Sequence, residues 1–129
     1  MFETVRAENG VVYLRSDILK SRHGFATRMG GVSNLEHTSS LNLAFGRGDS
    51  DGVVLENLSR FAKTVGFDKE SVISLPQIHS AKVLDVGEND RGRGYFKPPE
   101  GEGDGYVTDS ELVTLGVKSA DCVPILLEA

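Results

Sequence analysis

Two side chains whose types suit metal binding or nucleophilic chemistry stand out in this 129-residue sequence. Cys122 is the only cysteine and lies in SADCVPILL, and His79 is one of three histidines and lies in LPQIHSAKV. A thiolate and an imidazole are ligands that zinc prefers, and a histidine beside a cysteine can also activate the thiol as a nucleophile. Their long separation matches no compact metal motif, so a cysteine that merely packs as a small apolar side chain is the alternative.

A second group of residues has the types that bind anions or polar ligands. Gly30 and Gly31 in TRMGGVSN can adopt positive φ, which turns successive backbone N–H groups to one side as an anion nest. Arg28 can bind a phosphate with its forked guanidinium. The alternative is an ordinary glycine turn beside a surface arginine. Asn42, between two leucines in SLNL, needs partners, which are either a ligand or the local backbone.

Two aspartates lie in similar settings. Asp104 lies in GDGYVT and Asp121 lies next to Cys122. Each can orient a ligand by hydrogen-bonding the groups that hold it, or it can cap a turn. His23 and His37 have no evident partner, and we interpret them as structural or surface residues.

The elements that must position these residues predict an α+β fold. Asn9-Gly10 is a strong hairpin signal between two short strands. Apolar residues at helical spacing predict one main helix over residues 51–65, with capping residues at 49–51 and Gly66 as its end. A short helical turn is predicted from Asp68. Residues 87–103, which are rich in glycine, proline and charged side chains, are predicted to form a long loop, and strand-like segments follow it. Strands before and after one main helix favour α+β over a βαβ repeat.

The apolar run VPILL near the end of the sequence is typical of a strand buried on both faces. We expect such a strand to be covered by another chain or by further polypeptide. If left exposed, its edge favours self-association.

Composition excludes several classes of protein. The net charge of −5 argues against a nucleic-acid binder, which needs a basic face. A single cysteine favours a reducing, cytoplasmic setting. No apolar run approaches the roughly 20 residues that span a bilayer, and the first residues do not resemble a signal peptide. We therefore expect a cytoplasmic protein without nucleic-acid or membrane partners.

Taken in order, six blocks resemble the polyphenol oxidoreductase (laccase-domain) family, whose members are also described as multifunctional purine nucleoside phosphorylases and adenosine deaminases. The blocks run from about His23 to Leu127 and read HGFATRMGGVS, SLNL, GDSDGVVLENLSRFAKTVGF, PQIHSAKVLDV, GDGYVT and SADCVPILL. The resemblance implies an α+β architecture of mixed β-sheets with flanking helices. Residues 1–129 are then expected to be the N-terminal portion of a single domain that is incomplete at its C-terminus.

The resemblance also implies a zinc site built from the histidine of the PQIH block, the cysteine of the ADC block and a second histidine in a later HAGWRG-type block. The first two correspond to His79 and Cys122, which are the implied metal ligands and catalytic residues. The third block does not occur in this sequence.

The implied function is zinc-dependent phosphorolysis of purine nucleosides such as adenosine and inosine, together with adenosine deamination. Zinc-activated hydroxide attacking C6 of adenine would deaminate it, whereas phosphorolysis needs phosphate at the ribose C1′. Arg28, Gly30 and Gly31 are the candidates for binding that phosphate. Asn42 and Asp121 are candidates for contacting the nucleoside.

Three alternatives remain open. Copper-dependent oxidation of phenols ranks lower, because multi-copper sites need many histidines. A hydrolase with Cys122 as nucleophile is the second. The third is a non-catalytic half-domain, because two protein ligands rarely hold zinc tightly.

Overall fold

The computed structural model describes residues 1–129, which form two compact units. The first unit comprises residues 1–67 and 125–129, and the second comprises residues 68–124. The first unit contains an antiparallel sheet in the order β1-β2-β3 and one helix. Its elements are β1 (Phe2–Arg6), β2 (Val12–Ser16), β3 (Phe25–Ala26) and α1 (Asp51–Val65).

The second unit contains two parallel strand pairs, β4 with β7 and β5 with β6. 3₁₀ turns precede β4 at Lys69–Ser71 and follow β5 at Glu88–Asp90. The strands are β4 (Val72–Ile73), β5 (Val83–Asp85), β6 (Gly105–Val107) and β7 (Thr114–Leu115). Antiparallel and parallel strand pairs with little helix confirm the α+β class that the sequence predicts.

Helix α1 has the bounds that its capping residues predict. The Ser50 side chain accepts a hydrogen bond from the Val53 N–H at the first turn, and Gly66 ends the helix at φ +99°. The apolar face is buried, and the Phe61 ring meets the Tyr13 ring of β2 edge-on at 6.2 Å between centroids. This contact joins the helix to the sheet in the core of the first unit.

The predicted hairpin is also confirmed. Gly10 has φ +91°, and the Asn9 side chain accepts a hydrogen bond from the Val11 N–H at 3.1 Å. This turn joins β1 to β2, and the two strands pair antiparallel with Val5 opposite Tyr13.

The core of the second unit is small. Ile73, Leu75 and Val86 are buried in it, and partly buried Leu84 and Tyr106 pack against them. The Tyr106 hydroxyl accepts a hydrogen bond from the Leu75 N–H at 2.7 Å, which ties β6 to the chain leaving β4.

The predicted C-terminal strand is not formed within residues 1–129, and its burial by another chain or by further polypeptide stays a prediction. Residues 123–129 form no strand, and Val123, Ile125 and Leu127 are 83%, 71% and 91% exposed. A strand needs a neighbour to satisfy its backbone groups, and no strand of the sheets lies beside this segment.

No helix in the structure has the length and apolar character needed to cross a membrane.

Candidate functional site

His79 lies on a turn that is held by the carboxylate of Asp104. The backbone N–H groups of Ile78, His79 and Ser80 donate to this carboxylate at 3.1, 2.9 and 2.8 Å, and the Ser80 hydroxyl donates at 2.9 Å. These bonds, with the Ser80 N–H as the largest cause, lower the pKa of Asp104 to about 2. The carboxylate is therefore charged near neutral pH and fixes three successive amides.

The backbone of His79 is unusual. It has φ +57° and is the only residue other than glycine with positive φ. Such a conformation is costly for a residue with a Cβ and persists where the surroundings enforce it. Asp104 supplies that enforcement, while the His79 side chain remains exposed.

The strand pairing explains why Asp104 reaches this turn. β5 and β6 run parallel with Val83 opposite Gly105, so Asp104 precedes β6 at the level where the turn enters β5. The Asp104 N–H donates to the Lys82 carbonyl at 3.1 Å, and the Gly103 N–H donates to the Pro76 carbonyl at 3.0 Å. The loop 76–82 is thus bound at both ends to the chain before β6.

The segment that carries Cys122 is tied to the same loop. The Gln77 side chain donates to the Lys118 carbonyl at 2.8 Å and accepts from the Lys118 N–H at 2.7 Å. Because β4 and β7 are parallel, the loop with His79 and the segment with Cys122 leave the carboxyl ends of neighbouring strands. Ligand sites of parallel sheets lie at such ends.

Cys122 and Asp121 are exposed on this segment. The Ser119 hydroxyl donates to the Cys122 carbonyl and closes a tight turn around them. The thiol and the imidazole of His79 are therefore both accessible groups within the second unit.

The other two histidines are engaged by the backbone in the first unit. His23 Nε2 accepts from the Ser16 N–H at 2.8 Å, and its Nδ1 lies 2.8 Å from the Ser21 carbonyl. His37 Nε2 lies 2.6 Å from the Arg47 carbonyl. These contacts agree with the structural interpretation of both residues.

In the glycine turn near Arg28, two successive amides are already used within the chain. Gly30 has φ +100°, but the Gly31 N–H donates to the Ser40 hydroxyl at 3.1 Å, and the Val32 N–H donates to the Asn57 side chain at 2.8 Å. A Cβ on Gly31 would lie 2.0 Å from the Ser40 carbonyl oxygen, so glycine is needed here for packing. Anion binding by this turn stays a prediction that rests on the exposed Arg28 guanidinium.

Asn42 belongs to a polar network that the sequence analysis missed. Its amide donates to the Asp49 carboxylate and to the Ala44 carbonyl, both at 3.0 Å, and accepts from the Ala44 N–H. The Ser33 hydroxyl donates to Asp49 at 2.7 Å and is the largest cause of the lowered pKa of that carboxyl. The Asn42 side chain is thus used locally, and nucleoside binding by it stays a prediction.

The centre of this network is Asn57, which is fully buried on helix α1. Its side chain donates to the Ser33 hydroxyl and to the Asn42 carbonyl, both at 2.9 Å, and accepts from the Val32 N–H. A signal was present in the sequence, because Asn57 lies on the apolar face between Val54 and Leu58. A polar residue at such a position needs buried partners.

Lys118 and Tyr95 form a second group that the sequence analysis missed. The Lys118 ammonium lies 4.4 Å from the centroid of the Tyr95 ring. Burial lowers the pKa of Lys118 and raises the pKa of Tyr95. A half-buried cation therefore lies on the segment between β7 and Cys122.

The comparison with known families decides where this fold belongs. Residues 22–129 match the family described as multi-copper polyphenol oxidoreductase laccase. The chain belongs to this family. The resemblance inferred from the six sequence blocks is thereby confirmed.

Relatives in this laccase family carry the names of purine enzymes. The chain is 39% identical over 106 residues to the purine nucleoside phosphorylase LACC1 of Mus musculus, covering 81% of this chain and 23% of that protein. It is 36% identical over 115 residues to the purine nucleoside phosphorylase SCO2081 of Streptomyces coelicolor, covering 88% and 44%. A relative named adenosine deaminase RL5, from an unknown prokaryotic organism, is 33% identical over 116 residues, covering 86% and 44%.

Two solved structures have a similar fold. YlmD from Geobacillus stearothermophilus matches with a TM-score of 0.71 and 31% identity, over 90% of this chain and 40% of that one. The YfiH protein of Bacillus licheniformis matches with a TM-score of 0.74 and 23% identity, over 92% and 45%. The chain therefore spans less than half the length of these relatives.

The side chains of residues 1–129 provide part of the ligand set that a metal ion needs. His79 and Cys122 have the types that zinc prefers, but no group of three histidine, cysteine, aspartate or glutamate side chains is placed to hold an ion. Two of the three histidines are engaged by backbone carbonyls or amides. Residues 1–129 alone therefore complete neither a three-ligand zinc site nor a histidine-rich copper site.

Proposed function

We propose that this chain supplies the His79–Cys122 part of a purine nucleoside phosphorylase active site. The observation that carries the proposal is its similarity to relatives named purine nucleoside phosphorylase, which spans 81–88% of the chain in the two cases above. The matched region contains both residues. The fixed turn of His79 and its link to the Cys122 segment support the proposal, because catalytic groups need a held geometry.

The proposed reaction transfers a glycosyl group to phosphate. A phosphate oxygen forms a bond to C1′ of the ribose while the bond from C1′ to the purine nitrogen breaks. The electron pair leaves with the purine, which takes up a proton, and the products are ribose 1-phosphate and the free base. Adenosine and inosine are the proposed substrates.

The roles of the residues follow from their chemistry. His79 and Cys122 are proposed as zinc ligands, completed by at least one donor from outside residues 1–129. Asp104 is a positioning residue, since its carboxylate touches the backbone of the His79 turn and no reacting atom. Arg28, in the first unit, stays a candidate for binding phosphate, because its guanidinium is exposed.

Deamination of adenosine is a second candidate, favoured by the relative named adenosine deaminase. It exchanges the C6 amine for oxygen from water and needs no phosphate. The two reactions are therefore separable by phosphate dependence and by product.

The test combines residues 1–129 with the polypeptide that supplies the remaining zinc donor. This protein, supplied with zinc, is incubated with inosine or adenosine in the presence and absence of phosphate. Free base that forms only with phosphate supports phosphorolysis, and inosine formed from adenosine without phosphate supports deamination. His79→Ala and Cys122→Ser are expected to reduce either product at least about a hundredfold, in line with the loss of a catalytic group. His37→Gln, in the other unit, is the matched control and is expected to retain activity.

Two results would contradict the proposal. One is base release that does not depend on phosphate or on His79. The other is no purine product when residues 1–129 are assayed with zinc and with the polypeptide that supplies the remaining zinc donor, which favours a non-catalytic role for residues 1–129.

A further inference from the structure

We propose that Lys118 binds the phosphate cosubstrate beside the His79 turn. This inference rests on the proposed phosphorolysis and adds a residue that the sequence analysis did not select. It concerns only residues of the second unit, in which His79, Cys122 and Lys118 all lie.

The first argument is that Lys118 has no carboxylate partner. The other cations of this unit are either exposed lysines or arginines in ion pairs, with Arg91 bound to Asp68 and Arg93 bound to Asp90 and Glu100. Lys118 is half-buried, and the aromatic ring of Tyr95 is the group that faces its ammonium. A partly buried ammonium without an anion is unusual, because burial of a charge is costly unless the charge is paired.

The second argument is that the contact with Tyr95 leaves most of the binding capacity of Lys118 unused. An ammonium has three N–H donors, and a ring face satisfies it less fully than an anion does. A phosphate oxygen would supply the missing charge and hydrogen bonds. Burial lowers the pKa of Lys118 in the free chain, and a bound dianion would oppose that effect.

The third argument is position. The Lys118 backbone is fixed by both atoms of the Gln77 amide, two residues before His79, and Lys118 opens the segment that leads to Asp121 and Cys122. Its side chain is thus anchored on the same pair of parallel strand ends as the two catalytic candidates. Arg28 belongs to the other unit, and the Gly31 and Val32 amides near it already donate within the chain.

The direct test titrates inorganic phosphate into the full chain carrying ¹³C-labelled lysine, without nucleoside. The Cε–H signals of Lys118 are assigned by their loss in Lys118→Met and are expected to be displaced by the ring current of Tyr95, whose centroid lies 4.4 Å from the ammonium. Phosphate is expected to shift them saturably towards ordinary lysine values, while chloride at equal ionic strength leaves them in place. Lys118→Arg, which keeps the charge, is expected to retain phosphate affinity within a few-fold, whereas Lys118→Met weakens it about tenfold or more.

The matched control is Lys82→Met, which removes an exposed lysine of the same unit and is expected to leave phosphate affinity unchanged. Circular dichroism of each variant verifies folding, and the backbone bonds to Gln77 do not depend on the side chain at position 118. Equal responses to phosphate and chloride would overturn the inference. Equal losses in Lys82→Met and Lys118→Met would also overturn it, since they indicate diffuse charge attraction.

Turnover separates this inference from the proposed function. Lys118→Met is expected to raise the KM for phosphate about tenfold or more while changing the KM for inosine little. Phosphate-dependent turnover with an unchanged phosphate KM in Lys118→Met, but a raised one in Arg28→Ala, refutes the role of Lys118 and leaves phosphorolysis standing. Saturable phosphate binding at Lys118 without inosine cleavage, in a protein that also contains the remaining zinc donor, refutes the function and leaves the site standing.

Discussion

Replacement of Asp104 by asparagine tests whether the His79 turn depends on a charged acceptor. One oxygen of Asp104 accepts from the His79 N–H, and the other accepts from the N–H groups of Ile78 and Ser80 and from the Ser80 hydroxyl. Asparagine offers one oxygen and an NH₂ group, so at least one backbone donor then faces another donor. The turn loses part of the support that keeps His79 at φ +57°.

The size of the effect follows from the backbone of His79. A left-handed conformation costs an L-residue about 1–2 kcal/mol, and about 1.4 kcal/mol corresponds to a tenfold change in an equilibrium constant. If Asp104 offsets this cost, Asp104→Asn lowers the ratio of the native turn to its open forms by roughly 5- to 30-fold. Any activity that requires this turn is expected to fall by up to that factor.

Amide hydrogen exchange measures this effect without relying on catalysis. The amides of Ile78, His79 and Ser80 are expected to exchange roughly 5- to 30-fold faster in Asp104→Asn, in step with the loss of the turn. Asp109→Asn, an exposed aspartate of the same unit, is the control and should leave them unchanged. Unchanged exchange at these three amides in Asp104→Asn would refute the positioning role.

The pH dependence of the turn has a defined sign. The pKa of Asp104 is lowered from 3.8 to about 2, so its contribution to stability is complete above about pH 4 and is lost as the pH falls towards 2. NMR titration of the Asp104 carboxyl carbon should give a midpoint near pH 2. A midpoint near 4 would mean that the hydrogen bonds do not favour the charged form.

Two further predictions concern the polar network and the metal. Asn57→Ala removes three hydrogen bonds of a buried side chain and is expected to lower the free energy of unfolding by about 3 kcal/mol in urea titration. Asn34→Ala, at an exposed position, should change this free energy little. Equal small losses in both variants would contradict a structural role for the network. The zinc-supplied chain is expected to hold less than one zinc per chain after mild chelation, by elemental mass spectrometry, because two protein ligands bind zinc weakly. Cys122→Ser should remove what remains, and retention by Cys122→Ser would contradict metal binding by the thiol.

Local signals in the sequence predict much of the first unit. Helix α1 runs from Asp51 to Val65 as expected, because its cap at Ser50, its apolar periodicity and its stop at Gly66 lie within the element itself. The hairpin at Asn9-Gly10 is likewise specified by adjacent residues. Such features depend on short-range backbone preferences, which a sequence displays directly.

The second unit was harder to predict because its defining contacts are distant in sequence. β4 and β7 have two residues each, which is too short for a periodic pattern, and their pairing joins Val72 to Thr114. The bond pair between Gln77 and Lys118 and the cation over Tyr95 connect segments that no local rule relates. The residue types of His79 and Cys122 were informative, whereas the residues that position them could be found only in the structure.

The way in which the candidate site is held follows from the exposure of its reactive groups. His79 and Cys122 are exposed, so apolar packing of their side chains does not orient them. The chain instead fixes the His79 backbone through the Asp104 carboxylate. The Gln77 amide holds the backbone of Lys118, four residues before Cys122. Bonds to backbone amides leave the imidazole and the thiol free for a ligand, and they make the geometry sensitive to residues that never touch that ligand. Substitutions at Asp104 or Gln77 are therefore expected to weaken the function of the site while His79 and Cys122 remain intact.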